Sequence, residues 1–229
     1  MSISIVIPAY NESKNLPILI EEIIKNLNSK IAFEIIIVND NSTDDTLLNL
    51  QKIKFENLKL INNLNNIGQS YSTAKGIKAA IYNTIVTLDA DLQNDPSDIL
   101  KLYNIYTSNN NLKLIGGIRK NRKDNIIKII SSKLANKIRA FILDDKCPDT
   151  GCSLKIFDKK IFLKFPIFDG IHRFLPALFK GYNFSTYFVD VNHRARIYGK
   201  SNYGTFGRMF RGIKDIIKVR KIIKNFKND

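Results

Sequence analysis

Short, continuous apolar runs alternate with amphipathic stretches through the first hundred residues. Ile3–Pro8 is a β-branched run of strand length, followed by a polar turn and a helical pattern from Leu16 to Leu27. Phe33–Val38 is a second such run and stops abruptly at Asn39-Asp40-Asn41-Ser42. A helix over Thr46–Ile53, a strand at Leu58–Ile61, a loop from Asn62 to Gly68, a helix over Tyr71–Tyr82 and a strand at Thr84–Leu88 complete the series. Apolar strands without polar alternation, separated by helices, predict a mostly parallel sheet covered on both faces. Ligands of such sheets sit beyond the carboxyl ends of the strands. The polar clusters at 9–12, 39–44, 62–69 and 89–95 all fall there, so four candidate segments converge on one edge.

Beyond Pro96 the pattern is less regular. It predicts strands at Leu112–Gly116, Ser153–Phe157 and Ser185–Val191, a basic amphipathic helix over Asn125–Leu143, and a helix over Ile171–Lys180 that contains Pro176. The final segment places Phe206, Met209, Phe210, Ile213, Ile216, Ile217, Val219, Ile222, Ile223 and Phe226 mostly at i, i+3, i+4, i+7 spacing, with Arg and Lys between them. Neither an internal repeat nor a low-complexity linker occurs. The expected organisation is one α/β domain over 1–204 and a basic amphipathic C-terminal helix over 205–229.

Composition narrows the class. The 229 residues are 44% hydrophobic and 25% charged, as in ordinary globular chains. No uninterrupted apolar run approaches the ~18 residues of a spanning helix. Met1–Tyr10 lacks the basic start of a signal peptide, and two cysteines cannot form a disulfide scaffold, which points to the cytoplasm. The formal net charge of +15 is concentrated: residues 119–139 hold eight Lys/Arg against one Asp, and 205–229 hold eight against two. Such segments suit phosphates, nucleic acid or an acidic membrane surface, although solvated helix faces would read the same way.

The sharpest chemical feature is Asp89-Ala90-Asp91-Leu92-Gln93 at a strand end. Two carboxylates one residue apart, where the chain leaves the pleat, suit Mg²⁺ or Mn²⁺ bridging to phosphate oxygens. Asp95-Pro96 reads instead as a helix cap. Cys147 and Cys152 lack the second ligand pair of a zinc site and read as packing thiols. His172 and His193 suit either phosphate binding or a structural role. The chain has no GxGxxG and no GxxxxGK[ST], which argues against Rossmann dinucleotide binding and Walker-type hydrolysis.

Taken together, Pro8-Ala9-Tyr10-Asn11-Glu12, Asn39-Asp40-Asn41-Ser42-Thr43-Asp44, Asn66-Ile67-Gly68 and Asp89-Ala90-Asp91 resemble, in order and spacing, the inverting family-2 glycosyltransferases of the GT-A nucleotide-sugar-binding fold. The resemblance implies that Pro8, Tyr10, Glu12 and Asp40 hold the base and ribose, and that Asp89 and Asp91 bracket the diphosphate and metal. Asn39 and Asn41 replace the usual Asp and Gly; Asn tolerates a left-handed backbone, so the turn survives. Asp91-Leu92-Gln93, Ile118-Arg119, Asp149-Thr150-Gly151-Cys152-Ser153-Leu154-Lys155, His172-Arg173-Phe174 and His193-Arg194-Ala195-Arg196 with Gly199 and Ser201 extend it to the branch that glycosylates polyprenyl phosphates, the dolichol-phosphate mannosyltransferase-like enzymes. In that branch Gln93 would assist the metal, Arg119 and Arg196 would grip phosphates, and Lys128 with Ser132 would meet the acceptor phosphate. Ser201 belongs to the same set, with Asn202 where relatives usually carry Lys.

A sugar-hydroxyl acceptor needs a general base, whereas a lipid phosphate is already anionic at neutral pH. The implied reaction is transfer from a GDP- or UDP-sugar to polyprenyl phosphate, with Mg²⁺ or Mn²⁺ on the leaving group and Arg/Lys on the acceptor. Asp149 reads as a turn or site-shaping residue, near where hydroxyl-using relatives place a base. Two rivals are a glycosyltransferase using a glycan hydroxyl and a nucleic-acid-binding module; the acidic strand-end cluster argues against nucleic acid as a partner. The C-terminal helix has two readings, docked on the core or lying in the headgroup layer. A bilayer acceptor favours the second, which implies a peripheral protein on the inner membrane face, held by anionic lipid or by a membrane partner.

Overall fold

A computed structural model describes residues 2–120, 136–198 and 205–228. Its strands are β1 (Ile3–Ala9), β2 (Phe33–Asn39), β3 (Leu58–Asn62), β4 (Thr84–Thr87), β5 (Leu112–Arg119), β6 (Lys155–Asp158) and β7 (Ser185–Val191). They form one seven-stranded sheet in the order β3-β2-β1-β4-β6-β5-β7. β1 to β4 are mutually parallel, β6 runs antiparallel to β4 and β5, and β7 pairs parallel to β5. The helices are α1 (Asn15–Leu27), α2 (Thr46–Gln51), α3 (Gln69–Ala79), α4 (Asp98–Ser108), α5 (136–143), α6 (Lys159–Phe162), α7 (Ile171–Gly181) and α8 (Thr205–Asn228).

The strand pleat divides the core in two. Ile3, Ile5, Ile7, Ile35 and Ile37 face α1 and α4, packing on Leu16, Leu19, Ile20, Ile23, Ile99 and Leu102. Val6, Ile36 and Val38 point the other way, where Ala74 and Ile77 of α3 and the aromatic layer of α6 and α7 cover them. This two-sided burial is why β1 and β2 read as unbroken apolar runs. Each buried Ile or Leu contributes ~1.5–3 kcal/mol. At Gly76 α3 comes so close to the sheet that a Cβ there would sit 2.5 Å from Val6 Cγ1.

Two boundaries near the site differ from the sequence reading, and the helix containing Pro176 forms as expected. Asp95-Pro96 does not begin α4: Asp95 Oδ1 accepts from the amide of Ser97 at 3.0 Å, and the helix starts at Asp98. β5 runs on to Arg119, carrying that side chain to the carboxyl edge. Pro176 lies inside α7, which stays helical because Phe174, Leu175, Ala177, Leu178 and Phe179 are all buried. Of the helix expected over Asn125–Leu143, residues 125–135 lie outside the described residues.

The larger correction concerns α8. Of the two sequence readings, core docking and the headgroup layer, the second was favoured, but over 215–226 most of the stripe packs on α7 and the core, with Ile217 left exposed. Val219 is fully buried and Ile216, Ile222 and Ile223 join the core. Phe226 stacks on Tyr182 at 3.7 Å, and Arg173 pairs with Asp215 at 2.9 Å. Gly181 allows the approach, since a Cβ there would lie 2.5 Å from Ile223 Cγ1. Lys214, Lys218, Arg220, Lys221 and Lys224 remain exposed on the outer side. Among the described residues no helix is long and apolar enough to cross a membrane.

Candidate active site

The chain lays down β1, β2 and β3 in one direction, then returns through α3 to place β4 on the other side of β1. The crossovers that leave the carboxyl ends of β1 and β4 therefore diverge and open a crevice, the usual ligand position in an open α/β sheet. Tyr10 to Glu12 follow β1 there, and Asp89 and Asp91 follow β4.

Two loops are laced into one rim. The Asn11 amide donates to Ser42 Oγ at 2.9 Å, the Thr43 amide donates to Asn11 Oδ1 at 2.8 Å, and the Glu12 amide donates to Thr46 Oγ1 at 2.9 Å. Asn11 and Asn41 take left-handed backbones (φ 57° and 59°), a conformation Asn accepts more readily than most residues. Asn39 accepts from the Ser42 amide and donates to Asn62 Oδ1, both at 3.2 Å. A carboxylate could not do both. Asp40 is spent on the neighbouring loop: it accepts from Asn63 Nδ2, the Ile67 amide and the Gly68 amide at 2.8, 2.9 and 2.8 Å. It thus orders the turn into α3. Pro8 lies within β1, and Tyr10 is 37% exposed at the mouth.

Asp89 and Asp91 lead into a strained residue. Leu92, buried, has φ 62°, which a branched apolar residue adopts only where its surroundings enforce it. Gln69 Nε2 donates to Asp89 Oδ1 at 2.7 Å, and the Asp89 amide donates to Ser153 Oγ at 3.1 Å. Burial, then the charge of Asp91, push the Asp89 carboxyl up to about 6 against the pull of the Ser153 hydrogen bond, Lys155 and Arg119. Burial also raises Glu12; its bond from Asn15 opposes this, Asp91 and Asp89 add to it, and Arg196 offsets it. Three carboxylates and two arginines therefore share one field.

Both arginines are held by acids. Arg119 donates from Nε and Nη2 to the two oxygens of Asp149 at 2.8 Å each, and its amide reaches Asp149 Oδ2 at 3.2 Å. Arg196 Nη2 donates to Asp91 Oδ2 at 2.6 Å, while the Gln93 amide holds Asp91 Oδ1 at 3.1 Å. Arg196 ends a strap stitched along the acidic segment. Asn192 donates its amide to Asp98 at 2.7 Å, His193 bridges Asn94, and the Arg194 amide donates to the Gln93 carbonyl at 2.8 Å. The Arg194 guanidinium pairs with Glu22 at 2.7 Å and Asp95 at 3.0 Å.

Beneath Asp89 lies a polar floor that the sequence reading missed. Lys155 is 3% exposed and donates to the Cys152 carbonyl. His172 Nδ1 meets Ser70 Oγ at 2.9 Å; burial, then Arg173 and Lys155, depress the imidazole to about 3. The depressed value keeps His172 neutral near pH 7. A cavity of about 20 Å³ between these groups and Asp89 has room for a single water. The available signal was the lysine inside the apolar run of β6. Cys147 and Cys152 are buried, their thiols pushed up to about 11 by burial, as packing thiols should be. Lys128, Ser132 and Ser201, expected at the acceptor phosphate, lie outside the described residues.

The donor set fits a divalent cation. Among the described residues no three acidic, imidazole or thiol groups form a ready cage. Mg²⁺ and Mn²⁺ do not need one, because they take one or two carboxylates and complete their shell with substrate phosphate and water. Burial first, and the neighbouring Asp91 charge second, raise the Asp89 carboxyl, and a cation seated there would offset both.

A sheet that reverses its order at β1 and β4, with acids beyond both strands, is an α/β fold of GT-A type. Residues 4–165 match the model of Glycosyl transferase family 2, and the chain belongs to that family. It is 36% identical over 226 residues to dodecaprenyl-phosphate galacturonate synthase of Rhizobium johnstonii, covering 96% of this chain and 66% of that protein. It is 31% identical over 205 residues to undecaprenyl-phosphate 4-deoxy-4-formamido-L-arabinose transferase of Proteus mirabilis, covering 88% and 62%. The chain thus spans somewhat under two thirds of the length of these relatives. In fold it is similar to glucosyl-3-phosphoglycerate synthase of Mycobacterium tuberculosis, solved with Mn²⁺, UDP-glucose and phosphoglyceric acid. That match has a TM-score of 0.75 at 15% identity and covers 96% of this chain and 80% of the other.

Proposed function

We propose that this protein transfers a sugar, with inversion, from a GDP- or UDP-sugar to polyprenyl phosphate at the cytoplasmic membrane face. The observation that carries this reading is the pairing of Asp149 with Arg119. Asp149, which by the family resemblance lies near where hydroxyl-using relatives place a base, is engaged by a guanidinium through both its oxygens. An acceptor that needs no base, an ionised phosphate, fits such a site. The names of the relatives, which specify dodecaprenyl and undecaprenyl phosphate, support the same acceptor class.

In this reading Pro8, Tyr10 and Glu12 line the nucleoside side, and Asp40 acts through the loop it orders. Asp89 and Asp91, assisted by Gln93, would hold Mg²⁺ or Mn²⁺, which when bound neutralises charge developing on the leaving diphosphate. Arg119 and Arg196 hold phosphate oxygens, with Lys128, Ser132 and Ser201 on the acceptor. One bond forms, from an acceptor phosphate oxygen to the anomeric carbon. One breaks, from that carbon to the diphosphate, which keeps the electron pair. The Arg119 fork opposes repulsion between the two anions, and a single displacement inverts the centre. The basic outer face of α8 draws the protein to anionic lipid.

A panel of nucleotide-sugars offered with polyprenyl phosphate, with a glycan alcohol, and with Mg²⁺ or Mn²⁺ tests the reading. Label passing into the organic phase is expected. Label on the glycan alcohol alone would assign the chain to hydroxyl-using glycosyltransferases.

A further inference from the structure

Helix α5 turns two unlike faces outward and inward. Inward, Arg139 and Leu143, one turn apart, are buried; Arg139 pairs with Asp145 at 2.9 Å and donates to the Cys147 carbonyl. Outward, Ile138, Phe141 and Ile142 stand at i, i+3 and i+4 and are 50%, 90% and 37% exposed. A nearly bare phenylalanine between two isoleucines is an apolar face that water opposes and a partner would cover.

We propose that the Ile138–Phe141–Ile142 face of α5 enters the headgroup layer of an anionic membrane, and that α8 contributes charge without insertion. The choice of a bilayer rests on the polyprenyl-phosphate reading; the exposed face does not. Three observations favour lipid over protein. Exposed Lys137 and Lys146 flank the face, the complement of an anionic surface. Over 215–226 the apolar stripe of α8 packs mostly against the core through Ile216, Val219, Ile222 and Ile223, with Ile217 exposed, whereas Ile138, Phe141 and Ile142 of α5 all stand exposed. Finally, α5 is one loop from the phosphate-holding arginine. Asn136 donates to the Pro148 carbonyl at 3.1 Å and accepts from Thr150 Oγ1 at 3.1 Å, and between them Asp149 grips Arg119. A helix resting in the headgroups would hold Arg119 near the level of a lipid phosphate.

The chain contains no tryptophan, so Phe141→Trp introduces a sole tryptophan, excited selectively over the nine tyrosines at about 295 nm, at an exposed position. It is mixed with phosphatidylcholine vesicles, with or without phosphatidylglycerol, in the absence of donor and acceptor. The expected result is a blue-shifted emission, quenched by brominated acyl chains, on anionic vesicles only. The matching reporter on α8, Ile217→Trp, stays solvent-like. Ile138→Asp combined with Phe141→Asp lowers the fraction sedimenting with anionic vesicles about tenfold or more. It leaves the melting temperature, and transfer to a short water-soluble prenyl phosphate, unchanged. A solvent-like signal from position 141, vesicle binding undiminished in the double variant, or shielding that follows protein concentration without vesicles would each overturn the proposal. Failure to transfer to any prenyl phosphate would instead sink the functional reading and leave the vesicle result standing.

Discussion

Arg196 donates to Asp91 at 2.6 Å, so a residue expected to hold a phosphate is paired with one expected to hold a cation. Each is the other's counter-charge until donor and metal arrive. A cation held by Asp91, as proposed, would compete with Arg196 for that carboxylate. Arg196→Gln should tighten binding of Mn²⁺ alone about three- to tenfold, since removing a cation near a carboxylate raises its attraction for another. The same change should weaken nucleotide-sugar binding in the presence of Mn²⁺. Titrations followed by the Mn²⁺ spin signal check both, and unchanged metal affinity would show that the pair does not restrain the site.

Asp149 and Arg119 make a separate prediction. Their side chains are 7% and 16% exposed, so removing one leaves the other largely desolvated. Asp149→Ala should cost about 2–4 kcal/mol of stability and raise KM for the acceptor more than it lowers kcat. Asp149→Asn, which keeps part of the hydrogen bonding, should recover much of both. A large fall in kcat with loss of the acidic limb of the pH profile, at unchanged KM, would make Asp149 a base.

The docking of α8 rests on the space at Gly181. Gly181→Ala forces a methyl into Ile223 and should destabilise the protein by ~1–3 kcal/mol. Gly212 offers the control: a Cβ there meets nothing within 4 Å, so Gly212→Ala should be neutral or gain ~0.5–1 kcal/mol. Denaturant midpoints of the two variants measure the difference. Equal midpoints would mean that α8 does not pack as described.

His172 sets an acid dependence. Its imidazole is held at about 3 in the fold against a usual 6.5. As pH falls below 6.5 the unfolded chain takes up a proton that the folded one refuses. Stability is therefore lost with falling pH, by up to about 1.4 kcal/mol per pH unit. Asp89, raised to about 6, works in the opposite sense, because the folded form protonates first. Comparing wild type with His172→Gln cancels Asp89 and isolates the imidazole. The variant should gain on wild type at each step from pH 6.5 to 4.5, and parallel curves would place His172 in contact with solvent.

The parallel half of the sheet was legible because burial on both faces leaves a local mark, the unbroken apolar run. The crevice was legible for the same reason, since each polar cluster abuts a strand end. The antiparallel β6 was not, because strand direction depends on the chain between Arg119 and Lys155 and not on residues 155–158 themselves. Asp40 shows the limit of reading a motif: its position is as expected, yet its carboxylate serves the amides of Ile67 and Gly68. The stripe of α8 fits lipid and α7 alike, and periodicity does not distinguish two apolar surroundings. Lys155 and the 192–196 strap depend on contacts far apart in sequence.

In the proposed function Asp89 and Asp91 would seat a divalent cation on the donor diphosphate while arginines hold an ionised lipid phosphate. The most direct test is transfer of labelled sugar to polyprenyl phosphate by wild type and Asp91→Asn at equal fold stability, with Mg²⁺ or Mn²⁺ and with chelator. Lipid-linked label from wild type with metal, and none from Asp91→Asn or from wild type with chelator, is the expected result. Comparable labelling by Asp91→Asn would contradict it.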